Sequence, residues 1–138
     1  MTTAEFASWL ERYGQAWIKR DPKAAVQLFA PDARYYETPF DAPLVGRADI
    51  WQYWQHVPES QASISFDATP LAIVNGTCIA RWQAKFTRIP SGRRVELDGV
   101  FLLEFDYQVC ASSCASGGTG VSEHQWHKHR APITSTSA

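Results

Sequence analysis

The chain has 138 residues, with 13 Lys and Arg against 14 Asp and Glu, a formal charge of −1. Hydrophobic residues make up 45% of it, enough to fill the core of one domain of this length. A balance this even excludes a general nucleic-acid binder or a polybasic membrane-surface protein. The longest apolar runs, Leu71–Val74 and Val100–Leu103, exclude a bilayer span. The opening Met-Thr-Thr-Ala-Glu lacks the basic and apolar regions of a secretory signal. The expectation is a soluble, cytoplasmic protein.

In chain order, Thr2 and Glu5 form a capping box for a first helix. Phe6, Trp9, Leu10, Tyr13 and Trp17 then recur at 3, 4, 7 and 11 residues from the first, one face of a helical period. Asp21-Pro22 caps a second, short helix that carries Val26, Leu28 and Phe29 and closes at Pro31. Asp32 to Thr38 reads as a tyrosine-rich strand, followed by a loop marked by Pro39, Pro43 and Gly46. A third helix is expected from Arg47 to Val57, ended by Pro58, with His56 near its C-terminus.

The remainder reads as β-structure. Ile64, Phe66 and Ala68 alternate with polar neighbours, and Asn75-Gly76 is a hairpin turn. Cys78, Ala80, Trp82, Ala84 and Phe86 form one face of the next strand. After a turn at Ser91-Gly92, Val95, Leu97, Gly99, Phe101, Leu103 and Phe105 share a face. Asp98, Val100, Leu102 and Glu104 share the opposite one, partly apolar and suited to a homodimer contact. Residues 107–120 are expected as a Cys/Ser/Gly-rich loop and 121–129 as the last strand. The predicted class is α+β: a curved antiparallel β-sheet wrapped as a cone around three N-terminal helices. Residues 1–130 make one domain, and 131–138 a flexible tail.

Aromatic residues are 13% of the chain, with 6 Trp, 5 Tyr and 7 Phe. Such rings fill cores and also wall apolar pockets. Three cysteines do not make a disulfide framework. Cys78 reads as core, and Cys110 and Cys114 as reduced loop thiols. His124, His127 and His129 do not face one point on a strand, so no metal is expected. Arg88, Arg93 and Arg94 flank a Pro-Ser-Gly turn and read as a solubilising hairpin tip, not a nucleic-acid patch.

Three stretches carry a family resemblance: Asp21 to Ala33, Glu37-Thr-Pro-Phe through Gly46-Arg-Ala-Asp-Ile to Trp54, and Leu97 to Asp106 with Gln125-Trp-His127. They resemble the SnoaL-like branch of the nuclear transport factor 2-like superfamily. That superfamily holds isomerases, cyclases, dehydratases, epoxide hydrolases and non-catalytic binders, so the resemblance implies a cone fold more sharply than a reaction. Relatives of this kind usually join their last two strands by a tight turn, where this chain has residues 107–120.

Within that resemblance, gapless alignment from Tyr13 through Asp32 sets Tyr13 where the ketosteroid isomerase branch has its oxyanion-hole tyrosine. It sets Glu37 where that branch has its proton-shuttling carboxylate. The isomerase's second donor falls at Phe101, and two supporting tyrosines fall at Phe29 and Trp54. The epoxide-hydrolase relay is absent, because Arg81-Trp82-Gln83 lacks its carboxylate.

Alternation turns Glu37 inward, and desolvation there suits a general base. His124, on the same side as Trp126, is a second acid/base. Trp17, Tyr35, Trp54, Trp82, Phe101 and Trp126 are the expected substrate-binding walls. The function expected is proton transfer on a small hydrophobic carbonyl compound without a cofactor. The alternative is a non-catalytic hydrophobic-ligand binder or dimeric scaffold.

Overall fold

A computed structural model describes residues 1–36, 40–106 and 110–121, the last six as backbone only. Helix α1 (Thr3–Ile18) starts at the capping box: Glu5 N donates to Thr2 Oγ1 at 3.1 Å, and Thr2 N donates to Glu5 Oε1 at 2.8 Å. Its predicted stripe, Phe6, Trp9, Leu10, Tyr13 and Trp17, is buried throughout. Helix α2 (Pro22–Val26) begins with proline at its first position, and Asp21 Oδ1 accepts from Ala24 N at 3.1 Å. Strand β1 (Phe29–Tyr36) starts three residues before the expected Asp32. Pro31 therefore lies inside a strand and does not close a helix. The pairing register shifts between Phe29 and Arg34, which accommodates a residue without an N–H.

The expected third helix is two. After the short β2 (Leu44–Val45) come α3 (Gly46–Trp54) and α4 (His56–Ser60). Pro58 sits in the first turn of α4, where its missing N–H has no intrahelical partner to lose. His56 consequently starts a helix and is exposed, where a helix C-terminus was expected.

Strands β3 (Gln61–Val74), β4 (Thr77–Arg88) and β5 (Arg94–Phe105) form the predicted meander. Asn75 and Gly76 both take positive φ, 51° and 81°, as a two-residue hairpin turn requires. Strand β6 (Ala111–Val121) replaces the expected loop from residue 111 on, while residues 107–109 and, beyond Val121, the expected last strand lie outside the described residues. It pairs antiparallel with β5 along its length and parallel with β1 from Ala111 to Ala115. Neighbours on both sides override its poor strand composition.

The six strands run in the order β2-β1-β6-β5-β4-β3. Helix α1 packs on β3, and α3 on β1. One face of the sheet carries the buried alternate residues Cys78, Ala80, Trp82, Ala84 and Phe86 of β4 and Val95, Leu97, Phe101 and Leu103 of β5. This is the concave, helix-facing side. No helix is long and apolar enough to cross a membrane among the described residues.

Candidate functional site in the aromatic cone

Five of the predicted wall residues, Trp17, Tyr35, Trp54, Trp82 and Phe101, are fully buried, and so is Tyr13. Their rings meet one another rather than line an open hollow. The Tyr13 ring stacks on Trp9 at 5.3 Å and meets Phe101 edge-on at 5.3 Å and Trp54 at 5.6 Å. Trp82 stacks on Phe101 at 5.4 Å and lies nearly parallel to Phe66 at 6.3 Å. Tyr35 packs against Phe29 at 5.8 Å and Tyr53 of α3 at 5.6 Å. Alternation reports which way a side chain points, but not the volume left between rings. The predicted hollow is filled by its own walls.

Phe66 is the member at the rim. It is half-buried and touches Tyr13, Trp17, Trp82 and Phe101. Its other side borders an outer groove of about 200 Å³ between α1 and β3, with Leu10, Gly14, Ile18, Ala68 and Pro70. At this groove α1 comes close to β3 at Gly14, where an added Cβ would lie 2.7 Å from the Phe66 ring.

The polar atoms inside the cone divide into two groups. Trp9 Nε1 donates to Leu28 O at 2.9 Å, and Trp17 Nε1 to Gln61 Oε1 at 2.7 Å. Tyr13 Oη, Tyr35 Oη, Trp54 Nε1 and Trp82 Nε1 have no hydrogen-bond partner among the described residues. Most buried polar atoms in folded proteins are paired, and leaving one unpaired costs about 1–3 kcal/mol. Four such donors in one ring cluster set the cone apart from an ordinary core.

Burial pushes the Tyr13 phenol well above its usual range; Cys114 and Tyr53 add to the rise, and the Tyr35 hydroxyl partly offsets it. Tyr35 is raised well above its usual range too, first by burial, then by Tyr13, Tyr53 and Cys114. The two hydroxyls thus influence each other, although their geometry falls short of a hydrogen bond. Both phenols stay protonated at neutral pH, as donors and not as bases. Burial also pushes the Cys114 thiol far up, so it is no nucleophile at neutral pH. Cys114 was expected in a loop, but it sits in β6 opposite Tyr35. Cys78 is buried as expected, and all three cysteines are free.

A sequence model of the SnoaL-like domain matches residues 10–108. The chain belongs to the SnoaL-like family. No curated protein matches this SnoaL-like chain in sequence.

Solved structures share the fold. The epoxide hydrolase/cyclase-like enzyme SalBIII, described in pyran ring formation of the polyether salinomycin, aligns with a TM-score of 0.73 at 15% identity, covering 86% of this chain and 95% of that one. A protein described as an isomerase from Bacillus subtilis aligns at 0.74 and 16% identity, covering 86% and 90%. A protein from Novosphingobium aromaticivorans described as an aromatic ring hydroxylase aligns at 0.72 and 18% identity, covering 87% and 91%. At such identities the likeness shows a shared α+β fold and no reaction.

The remaining candidates of this SnoaL-like domain divide by location. Glu37, His124 and Trp126 lie outside the described residues, as do His127 and His129. Among the described residues no group of three His, Cys, Asp or Glu is placed to hold a metal ion. Arg81 points away from the cone, as alternation requires. Its Nη2 meets Asp98 Oδ2 at 2.8 Å and its Nε meets Oδ1 at 3.2 Å.

The arginine trio is not a uniform hairpin tip. Arg88 is 7% exposed, with its guanidinium 5.4 Å over the Phe86 ring. Arg94 Nη1 donates to Ser63 O at 2.9 Å and Thr87 Oγ1 at 3.0 Å. Sequence reasoning passed over Cys114 and Tyr53. The signal for Cys114 is its place beside Tyr35, which becomes visible only once β6 is known to pair with β1.

Proposed function

We propose that this SnoaL-like domain binds a small hydrophobic carbonyl compound within the ring cluster and moves a proton on the carbon beside the carbonyl, without a cofactor. The Tyr13 hydroxyl carries this reading. It is fully buried, walled by Trp9, Trp54, Phe66 and Phe101, and has no partner among the described residues. A neutral phenol held in a dry apolar site donates strongly to an oxygen that gains charge. A carbonyl oxygen there would receive the hydrogen bond that Tyr13 lacks. Solved structures described as a cyclase-like enzyme and an isomerase share the fold, so this fold accommodates catalysis in those proteins.

In this mechanism Glu37 takes the proton from the carbon next to the carbonyl. The C–H electron pair becomes the C=C bond of an enolate, and the charge on oxygen is held by Tyr13. Return of the proton at the same or a conjugated carbon completes an isomerisation, with no net oxidation. His124 serves as the second acid/base. Because the rings fill the cone, the ligand enters from the outer groove by swinging Phe66 aside and occupies the space that this ring leaves beside Tyr13. The protein works as a homodimer through the convex face, where Leu102 is 46% exposed beside Val100, Asp98 and Glu104.

The test is deuterium exchange. β-Tetralone, a bicyclic ketone with acidic protons beside its carbonyl, is incubated with the protein in D2O and followed by NMR. Exchange well above the buffer rate is expected, falling by roughly 10²–10⁴-fold in Glu37→Gln. Exchange at the buffer rate for the wild type overturns the enzyme reading. Phe101, an apolar ring where the resemblance implies a second donor, favours the other reading, a non-catalytic binder. Saturable binding of β-tetralone with no exchange would select it.

A further inference from the structure

Phe101 contributes no donor, so Tyr13 alone would face the negative charge that forms on the substrate oxygen. The other buried hydroxyl of the cone comes from β1. Tyr35 is fully buried, and its Oη has no partner among the described residues. We infer that Tyr35 supplies the second hydrogen bond, so that a planar, delocalised oxyanion is held between two phenols, one from α1 and one from β1. This inference rests on the cone being the ligand site.

The backbone under Tyr35 is fixed on both sides. It stands in register with Leu44 of β2 and with Cys114 of β6. Its ring is held by Phe29 and Tyr53. A donor anchored this way needs no reorganisation when charge appears.

The chemistry of the surroundings chooses the kind of anion. Among the described residues, the buried polar or charged side chains are Gln61 and Arg88, and Gln61 is engaged by Trp17 at the far end of α1. Neither of these is placed beside the two hydroxyls, so among the described residues the donors there are neutral. A compact carboxylate, whose charge stays on two oxygens, pays heavily to enter such a site. An enolate or phenolate spreads its charge over a ring system that the neighbouring aromatics accept, and it needs only neutral donors at its oxygen. Cys114 remains a neutral thiol beside Tyr35 and does not oppose that charge.

The probe is para-nitrophenol, whose anion absorbs differently from the neutral form, with para-nitrotoluene as the same shape lacking the hydroxyl. The wild type is expected to bind the phenolate more tightly than the toluene. Tyr13→Phe and Tyr35→Phe should each weaken phenolate binding by roughly tenfold, the value of one hydrogen bond to a charged group, and leave para-nitrotoluene unchanged. A general packing defect would weaken both probes alike. Loss in Tyr13→Phe with phenolate affinity intact in Tyr35→Phe overturns the second-donor assignment and leaves the cone site standing. Equal loss of both probes in Tyr35→Phe overturns it as well, because the role would then be packing. No saturable binding of either probe by the wild type overturns the cone as ligand site and the inference with it.

Discussion

The two faces of the β3–β6 meander treat polarity in opposite ways. On the convex face the charges are exposed and paired: Arg81 with Asp98, and Lys85 with Glu96 at 3.5 Å. On the concave face the donors are sealed among rings, and Tyr13, Tyr35, Trp54 and Trp82 have no partner among the described residues. Surface pairs form where water already satisfies each group, so they contribute little. Buried unpaired donors are costly and persist only where something else maintains them. The comparison therefore separates a concave side with unpaired donors from a convex side whose ion pairs face water.

Arg81 and Trp82, adjacent in sequence, test the contrast most sharply. Trp82→Ala removes an indole that touches Trp17, Phe66 and Phe101 and should cost about 3–5 kcal/mol in urea unfolding. Arg81→Ala should barely move the urea midpoint, because the side chain stays in water on the other face. Similar losses for the two would dissolve the distinction between the faces.

Alkali probes the concave side alone. Tyr13, Tyr35 and Cys114 hold their protons more tightly folded than unfolded. Their contribution to stability is complete below the unfolded values, near ~8.5 for the thiol and ~10 for the phenols. Above these, the unfolded chain loses protons that the folded chain keeps, so stability falls at about 1.4 kcal/mol per pH unit per group. Urea unfolding between neutral pH and strong alkali should show this slope. Tyr13→Phe should make it shallower by one group.

Gly14→Ala sharpens the picture of the rim. Alanine improves helix propensity by about 1 kcal/mol, but its Cβ meets a Phe66 ring already held by four other rings. A net loss of about 1 kcal/mol is expected in thermal melts, with the Phe66 ring displaced in NMR spectra. A net gain would show that Phe66 moves freely.

The smallest effect belongs to Asp98. The hydrogen bond from Arg81 holds its carboxyl below the usual range. Its contribution is therefore present above the unfolded value near ~3.9 and is lost as pH falls through the folded one. At its exposure Asp98→Asn should flatten the acid limb only slightly, and added salt should erase the difference.

Much of this architecture is legible in the residues. The α1 stripe, the Asn75-Gly76 turn and the strict alternation of β4 and β5 each follow from one local rule, and all three hold. The split of the third helix and the strand at Ala111–Val121 are not local. Pro58 breaks a helix in the interior but fits a first turn, and the Ser/Gly-rich β6 is a strand because β1 and β5 both offer it edges. At the site, period and alternation brought Tyr13, Trp17, Tyr35, Trp54, Trp82 and Phe101 to one cluster. They could not tell that the rings would close on each other, because contact depends on shape across five elements. Arg88 shows the same limit: a turn-flanking arginine reads as exposed until it is seen as the last residue of β4, with its guanidinium over Phe86.

The parallel seam between β1 and β6 has a consequence for how the chain is made. Tyr35 must wait for Cys114, nearly eighty positions later in synthesis. Until then the first strand has only the two-residue β2 along its edge, and the phenol-bearing side of the cone has no sheet to rest on. Contacts of such separation form late and slowly. On the ribosome, the helices and the β3–β5 meander can assemble first, while the half of the ring cluster that holds Tyr35 closes only after the last described strand has emerged.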